Sequence, residues 1–292
     1  MRAEQVDVFE ANRSRLFGLA YRMLGEAAEA EDVVQDAYLR WRQHADTVAT
    51  PASWLTKVTT NLCLGRLTSA RARREHYVGP WLPEPILTST DPGPLETVEQ
   101  HDTLSLGVLM LLERLTPLER AAFVLREAFD CGHREIAEIL DLDEAHVRQL
   151  YRRARQHVGE PRKRFPASAE QGRRILERFL AAAVSGDVAG LARLLAEDAV
   201  AWSDGGGKVT AARHPVIGRD KVARLFVGLG RSPRTGRAAL SLAEVNGTPA
   251  VLVHEAGALS VVIVPEIVDG RVVAVHSVLN PDKLAFASAQ SR

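Results

Sequence analysis

Apolar residues recur every three or four positions through the first 75 residues, the period of helices that bury one face. Phe9, Leu16, Phe17, Ala20, Tyr21 and Leu24 form a first stripe, Gly25 interrupts it, and the pattern resumes over Ala30–Arg42 with Val34, Ala37, Tyr38 and Trp41. Thr50-Pro51 opens a third stripe carrying Trp54, Leu55, Val58, Leu62 and Leu64, with Pro where a first helical turn tolerates it. Residues 76–103 cluster Pro and Gly without a sustained period and read as a linker. Residues 104–165 hold a helix-turn-helix unit, and Pro161–Pro166 mark a second hinge. From Ser168 the texture changes. Two helices, one to about Ala183 and one over Val188–Leu195, precede strand-like stretches at Ala199–Trp202, Ala238–Val245, Ala250–Glu255, Leu259–Val264 and Val272–Val278. One helix, Arg219–Leu229, interrupts them. Helices followed by consecutive strands predict an α+β domain with an antiparallel sheet. The small, polar tail after Leu284 is expected to fray.

The segment from Thr116 to Val158 predicts a helix-turn-helix. Thr116, Pro117 and Glu119 spell a capping box with Pro at the first helical position. Ala121, Ala122, Val124, Leu125 and Ala128 give that helix its apolar face, and Gly132 is expected to break it. Ile136, Ala137, Ile139 and Leu140 mark a short helix, Asp141–Asp143 a tight turn, and Asp143 an N-cap with Glu144 in the first turn behind it. On the last helix Val147, Leu150, Tyr151 and Ala154 face inward, while Arg148, Arg152 and Arg155 face out. A helix so presented fits a DNA major groove. The alternative is a helical hairpin with a solvated arginine face.

Composition sharpens this only locally. The formal net charge is zero, so overall charge does not announce nucleic acid. A DNA-binding reading rests on two clusters, Arg66, Arg71, Arg73 and Arg74, and Arg148 through Arg164. Acidic patches elsewhere suggest a basic protein partner. Cys63 and Cys131 match no metal spacing and are expected to be buried or idle. No apolar run is long enough to span a membrane; the expected location is the cytoplasm.

Three further strings stand out. In AEDVVQDAYLRW (30–41), Glu31, Asp32, Gln35 and Asp36 face out, and Asp32 and Asp36 repel at i, i+4. Such a face is either solvated or suited to a basic helical partner. In GPWLPEPI (79–86) two prolines favour an extended strand, with Trp81, Leu82 and Ile86 as apolar anchors that call for a docking surface. Asp204-Gly205-Gly206-Gly207-Lys208 reads as a turn needing positive φ, lacking the spacing of a phosphate loop.

DVVQDAYLRW, then ASWLTKVTTNLCLGRL (52–67), then the helix-turn-helix resemble the layout of bacterial extracytoplasmic-function (ECF) sigma factors. WLPEP, DGGGK (204–208) and NPDKL (280–284) resemble the SigJ-like subgroup, which carries a C-terminal SnoaL-like domain. The resemblance implies a multidomain chain. A region 2 helical bundle (1–75) and a region 4 helix-turn-helix (104–165), both all-α, flank the linker (76–103). An α+β SnoaL-like (NTF2-like) cone-shaped sheet domain (168–287) follows. It further implies that Asp32, Gln35 and Asp36 bind the clamp coiled coil of the RNA polymerase largest subunit. Trp54, Lys57, Thr60, Asn61 and Arg66 would melt and read the −10 element, with Arg71, Arg73 and Arg74 near phosphates. Glu144, His146, Arg148, Gln149, Arg152, Arg153 and Arg155 would read −35 in promoter DNA. Gly65, Thr68, His146 and Asp141 stand where the family more often has Asp or Asn, Arg, Ser or Thr, and Gly.

The resemblance also implies that the C-terminal domain regulates the sigma module in cis. Trp81, Leu82, Pro83, Glu84, Pro85, Ile86, the 204–208 turn, and Asn280, Pro281, Asp282, Lys283 and Leu284 form the interdomain regulatory set. A small ligand in the SnoaL-like pocket could bias it, in a chain expected to be monomeric, with no cofactor, no membrane contact and no catalysis. An enzymatic alternative would draw on Asp204, His214, His254 and His276 for proton transfer. Another alternative is a ligand-responsive repressor that needs no polymerase; it leaves the acidic helix unexplained.

Overall fold

The three N-terminal stripes become three helices in the computed structural model, which describes residues 3–88, 104–158, 168–233 and 235–291. They are α1 (Ala3–Leu24), α2 (Ala27–His44) and α3 (Pro51–Glu75). Gly25, at φ 70, ends α1 in the left-handed region and donates its N–H to Tyr21 O at 2.7 Å. Phe9, Leu16, Val34, Trp41 and Leu55 bury the shared core. The Trp41 indole donates to Gln5 O at 2.8 Å, so the largest core side chain leaves no polar atom stranded.

Among the described residues four helices follow: α4 (Leu106–Leu112), α5 (Pro117–Glu127), α6 (His133–Leu140) and α7 (Glu144–Val158). α4 was not foreseen. The Thr116–Glu119 capping box is present, and Asp143 Oδ1 caps α7 by accepting the His146 N–H at 2.8 Å. Asp141 adopts φ 54 at the end of α6, a left-handed site that explains why Gly is common there. Gly132 is not the breaker expected. α5 ends at Glu127, Asp130 takes the positive φ, and Gly132 is the N-cap of α6. Val147, Leu150 and Ala154 are buried, while Arg148, Arg152 and Arg155 are exposed.

By their contacts, α1–α3 and residues 108–158 make one unit; residues 76–88, 105–107 and the chain from 168 make a second. The second contains α8 (Ala169–Ser185), α9 (Val188–Leu194), β1 (Leu195–Asp204), β2 (Val216–Ile217), α10 (Arg219–Gly230), β3 (Ala239–Val245), β4 (Thr248–Glu255), β5 (Ala258–Val268), β6 (Arg271–Val278) and α11 (Pro281–Gln290). The sheet order is β2-β1-β6-β5-β4-β3. The sheet is mixed rather than antiparallel: β1 pairs parallel with β6, and α10 and four strands intervene between them. Ile175, Phe179, Phe226, Ala201 and Val275 are buried together where the helices cover one sheet face. Strand alternation therefore assigns Trp202, Asp204 and His276 to the opposite face.

The tail does not fray after Leu284. Asn280 caps α11, Pro281 occupies its first turn, and Leu284 and Ala287 are buried. The first part of the linker is ordered on the same unit. Leu87 bridges Val245 antiparallel, with Asn246 N donating to Ile86 O and Thr88 N to Glu244 O, both at 3.0 Å. It thus covers the β3 edge, which would otherwise offer unpaired backbone groups. The rest of the linker and the Pro161–Pro166 hinge lie outside the described residues.

Candidate polymerase and promoter surfaces and the linker cradle

α2 displays Glu29, Asp32 and Asp36 at i, i+3 and i+7, on one face. Asp32 and Gln35 are exposed and Asp36 is half-buried. The stripe is not left to repel itself. Arg66 on α3 reaches it, with Nη1 2.8 Å from Glu29 Oε2, Nη2 2.8 Å from Asp36 Oδ2, and Asp32 Oδ2 at 3.7 Å. Burial works against the Arg66 charge, but its hydrogen bonds to Glu29 and Asp36 and their charges more than offset it and hold its pKa above the ordinary arginine value.

The residues expected at the −10 element separate. Trp54 packs at a tilt against Trp41 and His44, with centroids 5.8 and 5.7 Å away. Thr60 is buried and donates to Thr56 O at 2.8 Å, so it is turned away from any incoming strand. Asn61 is exposed. Lys57 is engaged inside the helical unit: Nζ lies 2.5 Å from Asp141 Oδ1 and 2.8 Å from Glu138 O, at the turn of the helix-turn-helix. Arg74 is turned inward too. It bonds Glu26 at 2.9 Å, Leu24 O at 2.6 Å, and Glu113. Glu113 also accepts from Arg120 at 2.6 Å, and Arg120 is buried and donates to Met23 O at 2.7 Å. Arg71 and Arg73 lie on α3; their side chains fall outside the described residues.

On α7, Arg148, Gln149, Arg152 and Arg155 are exposed, and His146 is partly so. Arg148 pairs with Glu144 at 2.5 Å along the helix. Arg153 is committed to the buried Glu119, 3.0 Å away. Burial raises the Glu119 pKa, but the Thr116 hydrogen bonds, then Arg153 and His157, hold it below the ordinary value.

The linker residues and the two C-terminal motifs converge on one buried carboxylate. Asp204 Oδ1 accepts from the Tyr77 hydroxyl at 2.5 Å and Gly206 N at 3.0 Å; Oδ2 accepts from Leu82 N at 2.8 Å and Lys283 Nζ at 2.7 Å. Lys283 also donates to Leu82 O and lies over the rings of Trp81 and Tyr77, 4.2 and 4.7 Å from their centroids. Asn280 Nδ2 donates to the Tyr77 oxygen at 2.9 Å. Burial, then the Asp204 charge, raises the Tyr77 pKa, so the phenol remains a donor. Leu82, Pro83, Glu84, Pro85 and Ile86 are buried, and Ile86 N donates to Asn246 Oδ1 at 3.1 Å. Gly206 and Gly207 take φ 59 and 72, as the turn required. A Cβ on Gly206 would meet Asn280 Nδ2 at 2.4 Å. Lys208 pairs with Asp282 at 2.5 Å across the two motifs, and Gly205 O accepts from Lys208 N at 3.0 Å.

The four donors to this carboxylate include none of the histidines of the enzymatic alternative. His214 is exposed in a loop and His254 lies partly buried on β4. His276 is buried on β6; burial lowers its pKa to about 4, against a hydrogen bond to Val264 that works the other way. Cys63 and Cys131 are both buried thiols without a disulfide, and burial raises the Cys131 pKa to about 11. Among the described residues no helix is long and apolar enough to cross a membrane. Sequence reasoning missed Tyr77, Glu29, Glu113, Arg120 and Asn246, none of which belongs to a recognisable string.

Two family models match the helical unit: Sigma-70 region 2 over residues 8–73 and Sigma-70, region 4 over residues 105–158. The ECF RNA polymerase sigma factor SigJ of Mycobacterium tuberculosis is 38% identical over 99% of this chain and 96% of its own. The probable ECF RNA polymerase sigma factor SigI of the same species is 32% identical over 94% of this chain and 93% of its own. The crystal structure of M. tuberculosis SigJ superposes with a TM-score of 0.79 at 35% identity, covering 97% of this chain and 99% of that one. With both sigma modules, the sheet domain and the full-length similarity in place, the chain belongs to the extracytoplasmic-function RNA polymerase sigma factors.

Proposed function

We propose that this sigma factor, which directs transcription initiation, is held in a closed form whose release is governed in cis by its SnoaL-like domain. In this reading Asp32, Gln35 and Asp36 dock on a basic coiled coil of the polymerase largest subunit. Trp54, Lys57 and Asn61 engage the −10 strand, and Arg148, Gln149, Arg152 and Arg155 enter the −35 groove. The observation that supports it is that two cations assigned by resemblance to the −10 element are engaged by region 4. Lys57 is bound to Asp141 and Glu138 O, and Arg74 to Glu113. A phosphate can claim Lys57 only once Asp141 has released it. The exposed Lys57 pair is weak, worth about 0–1 kcal/mol. The Arg74–Glu113–Arg120 cluster is largely shielded, with side-chain exposures of 14%, 20% and 4%, and dominates the closure.

The sheet domain enters through the linker. Residues 76–88 belong to the segment that joins region 2 to region 4, and the Asp204 cradle fixes them. Holding that stretch limits how far the two modules can part, which favours the closed form. A ligand or partner that binds the sheet domain better with the linker released would shift the population, and a few kcal/mol of differential affinity suffices. The Asp204 carboxylate is filled by four donors, which supports a structural rather than a catalytic role for it. The chain acts as a monomer in this reading.

Run-off transcription with bacterial core polymerase on a cognate promoter tests the proposal, comparing the full chain with Glu113→Gln and Asp204→Ala. Initiation by the parent chain with changed output from both variants is expected. Equal output from all three would overturn cis control. Failure of every form to bind core would overturn the docking reading.

A further inference from the structure

Arg66 was grouped with the promoter contacts because it follows the ASWLTKVTTN string, but helical geometry separates it from them. At 100° per residue, Lys57, Asn61 and Trp54 fall within about 60° of one another on α3, whereas Arg66 falls about 180° from Lys57. Its guanidinium is turned to α2 instead. Besides the Glu29 and Asp36 carboxylates it bonds the Glu29 carbonyl oxygen at 3.2 Å. Its side chain is 26% exposed, while Asp32 and Asp36 are 66% and 45% exposed. The cation is therefore set behind the stripe, and a partner approaching α2 meets the carboxylates first.

We infer that Arg66 is a positioning residue for polymerase docking and not a promoter contact. This rests on the reading of Asp32, Gln35 and Asp36 as the polymerase-facing residues. Glu29, Asp32 and Asp36 repel along one helix face, and each side chain samples several rotamers when unrestrained. A guanidinium presents a rigid planar fork that matches two carboxylates at once. Bridging Glu29 to Asp36, it restrains both rotamers seven residues apart while Asp32 and Asp36 stay accessible to a partner. Partner cations then meet a preset row of acceptors, and less rotamer entropy is lost on binding. Glu29, which no sequence string marked, becomes the anchor of the device.

The test separates grip from charge. Arg66→Lys keeps the charge and loses the fork; Glu29→Gln disturbs the anchor from the other helix. Affinity for core polymerase is measured with the full chain at low and high salt. Binding of a single-stranded −10 probe is measured on holoenzyme formed at saturating core. The expected result is a five- to tenfold weaker core affinity for both variants at both salt concentrations, with probe binding within twofold of the parent. The double variant should be less than additive, because both changes release the same bridge. Unchanged core affinity with weakened probe binding would return Arg66 to the promoter and overturn the inference. Loss of core binding that merely tracks loss of helical content would also overturn it. Asp32→Asn serves as the control on the docking reading. If it leaves core affinity unchanged, that reading has failed; if it weakens binding and Arg66→Lys does not, only the positioning role has.

Discussion

Asp204→Ala is the most discriminating perturbation of the sheet unit. The carboxylate is fully buried and accepts from two backbone amides, a phenol and an ammonium. Removing it takes the counter-charge from Lys283, 5% exposed, which keeps the Leu82 carbonyl and two aromatic faces among its partners. Breaking one side of a buried ion pair costs roughly 3–5 kcal/mol. The total stability of a domain is about 5–15 kcal/mol, so the sheet should remain folded. The linker has a cheaper way out: it can detach locally and let Lys283 rehydrate. The cost should therefore appear as opening of residues 76–88, not as global unfolding.

Hydrogen exchange at the Leu82 amide reads this directly, since that amide donates to Asp204. About 1.4 kcal/mol corresponds to a tenfold change, so exchange should accelerate by roughly two to three orders of magnitude. Amides inside β5 and β6 should change far less. The double variant Asp204→Asn, Lys283→Met removes both charges while keeping shape, and should recover a large part of the protection. Acceleration of less than tenfold at Leu82, or a double variant as labile as Asp204→Ala, would refute the cradle as the holder of the linker.

Four further outcomes are expected. Trp81→Ala removes one of the two rings over Lys283 and should alter run-off transcription while leaving far-ultraviolet circular dichroism unchanged; unaltered output would count against linker control. His276 has its pKa lowered to about 4 by burial, so the unfolded chain binds a proton below pH about 6.5 that the folded chain refuses. Stability should be full above that pH and fall by on the order of 3 kcal/mol as pH drops toward 4. Denaturant titrations of the parent and His276→Gln should differ in that slope. On −35 duplex DNA, Arg152→Ala should weaken holoenzyme binding and reduce the salt slope by about one. Arg153→Ala should instead lower the melting temperature, because Arg153 serves the buried Glu119.

How far the sequence carried the fold follows from what each signal encodes. Periodicity reports which residues share a face, so the stripes of α1–α3, the capping box and the inward set Val147, Leu150 and Ala154 were legible. It does not report strand direction. The parallel β1–β6 pair depends on what lies between them, and the antiparallel expectation failed there. Ala-rich α11 carries no amphipathic signal beyond Leu284, so its continuation to Gln290 depends on the Asn280 cap and on Gln290 hydrogen bonding to Leu87. The interdomain strings converge because extended, proline-bearing chain brings its own edge to β3 and needs an acceptor for the Leu82 amide, which Asp204 supplies.

The cations were the least legible element, and the reason is physical. A basic residue placed by motif advertises its charge but not its counter-ion. Lys57, Arg66, Arg74 and Arg153 are each neutralised by a carboxylate more than 30 positions away, at Asp141, Glu29, Glu113 and Glu119. Local charge runs therefore overstate what is available to DNA in the free chain. Arg148, Arg152 and Arg155 remain exposed on α7, while Lys57 and Arg74 on α3 are already occupied. On the proposed assignment of these residues, that asymmetry would make duplex recognition at −35 the readier step and −10 engagement the one that must first displace an internal carboxylate. Raising salt should then act in two opposing ways: it weakens phosphate contacts, and it loosens the exposed Lys57–Asp141 pair more than the shielded Arg74–Glu113–Arg120 cluster. In Glu113→Gln the shielded part of the closure is gone and only the exposed pair remains, so binding of the −10 probe by this variant should exceed that of the parent, and the ratio between them should persist as salt rises even as both bind less tightly.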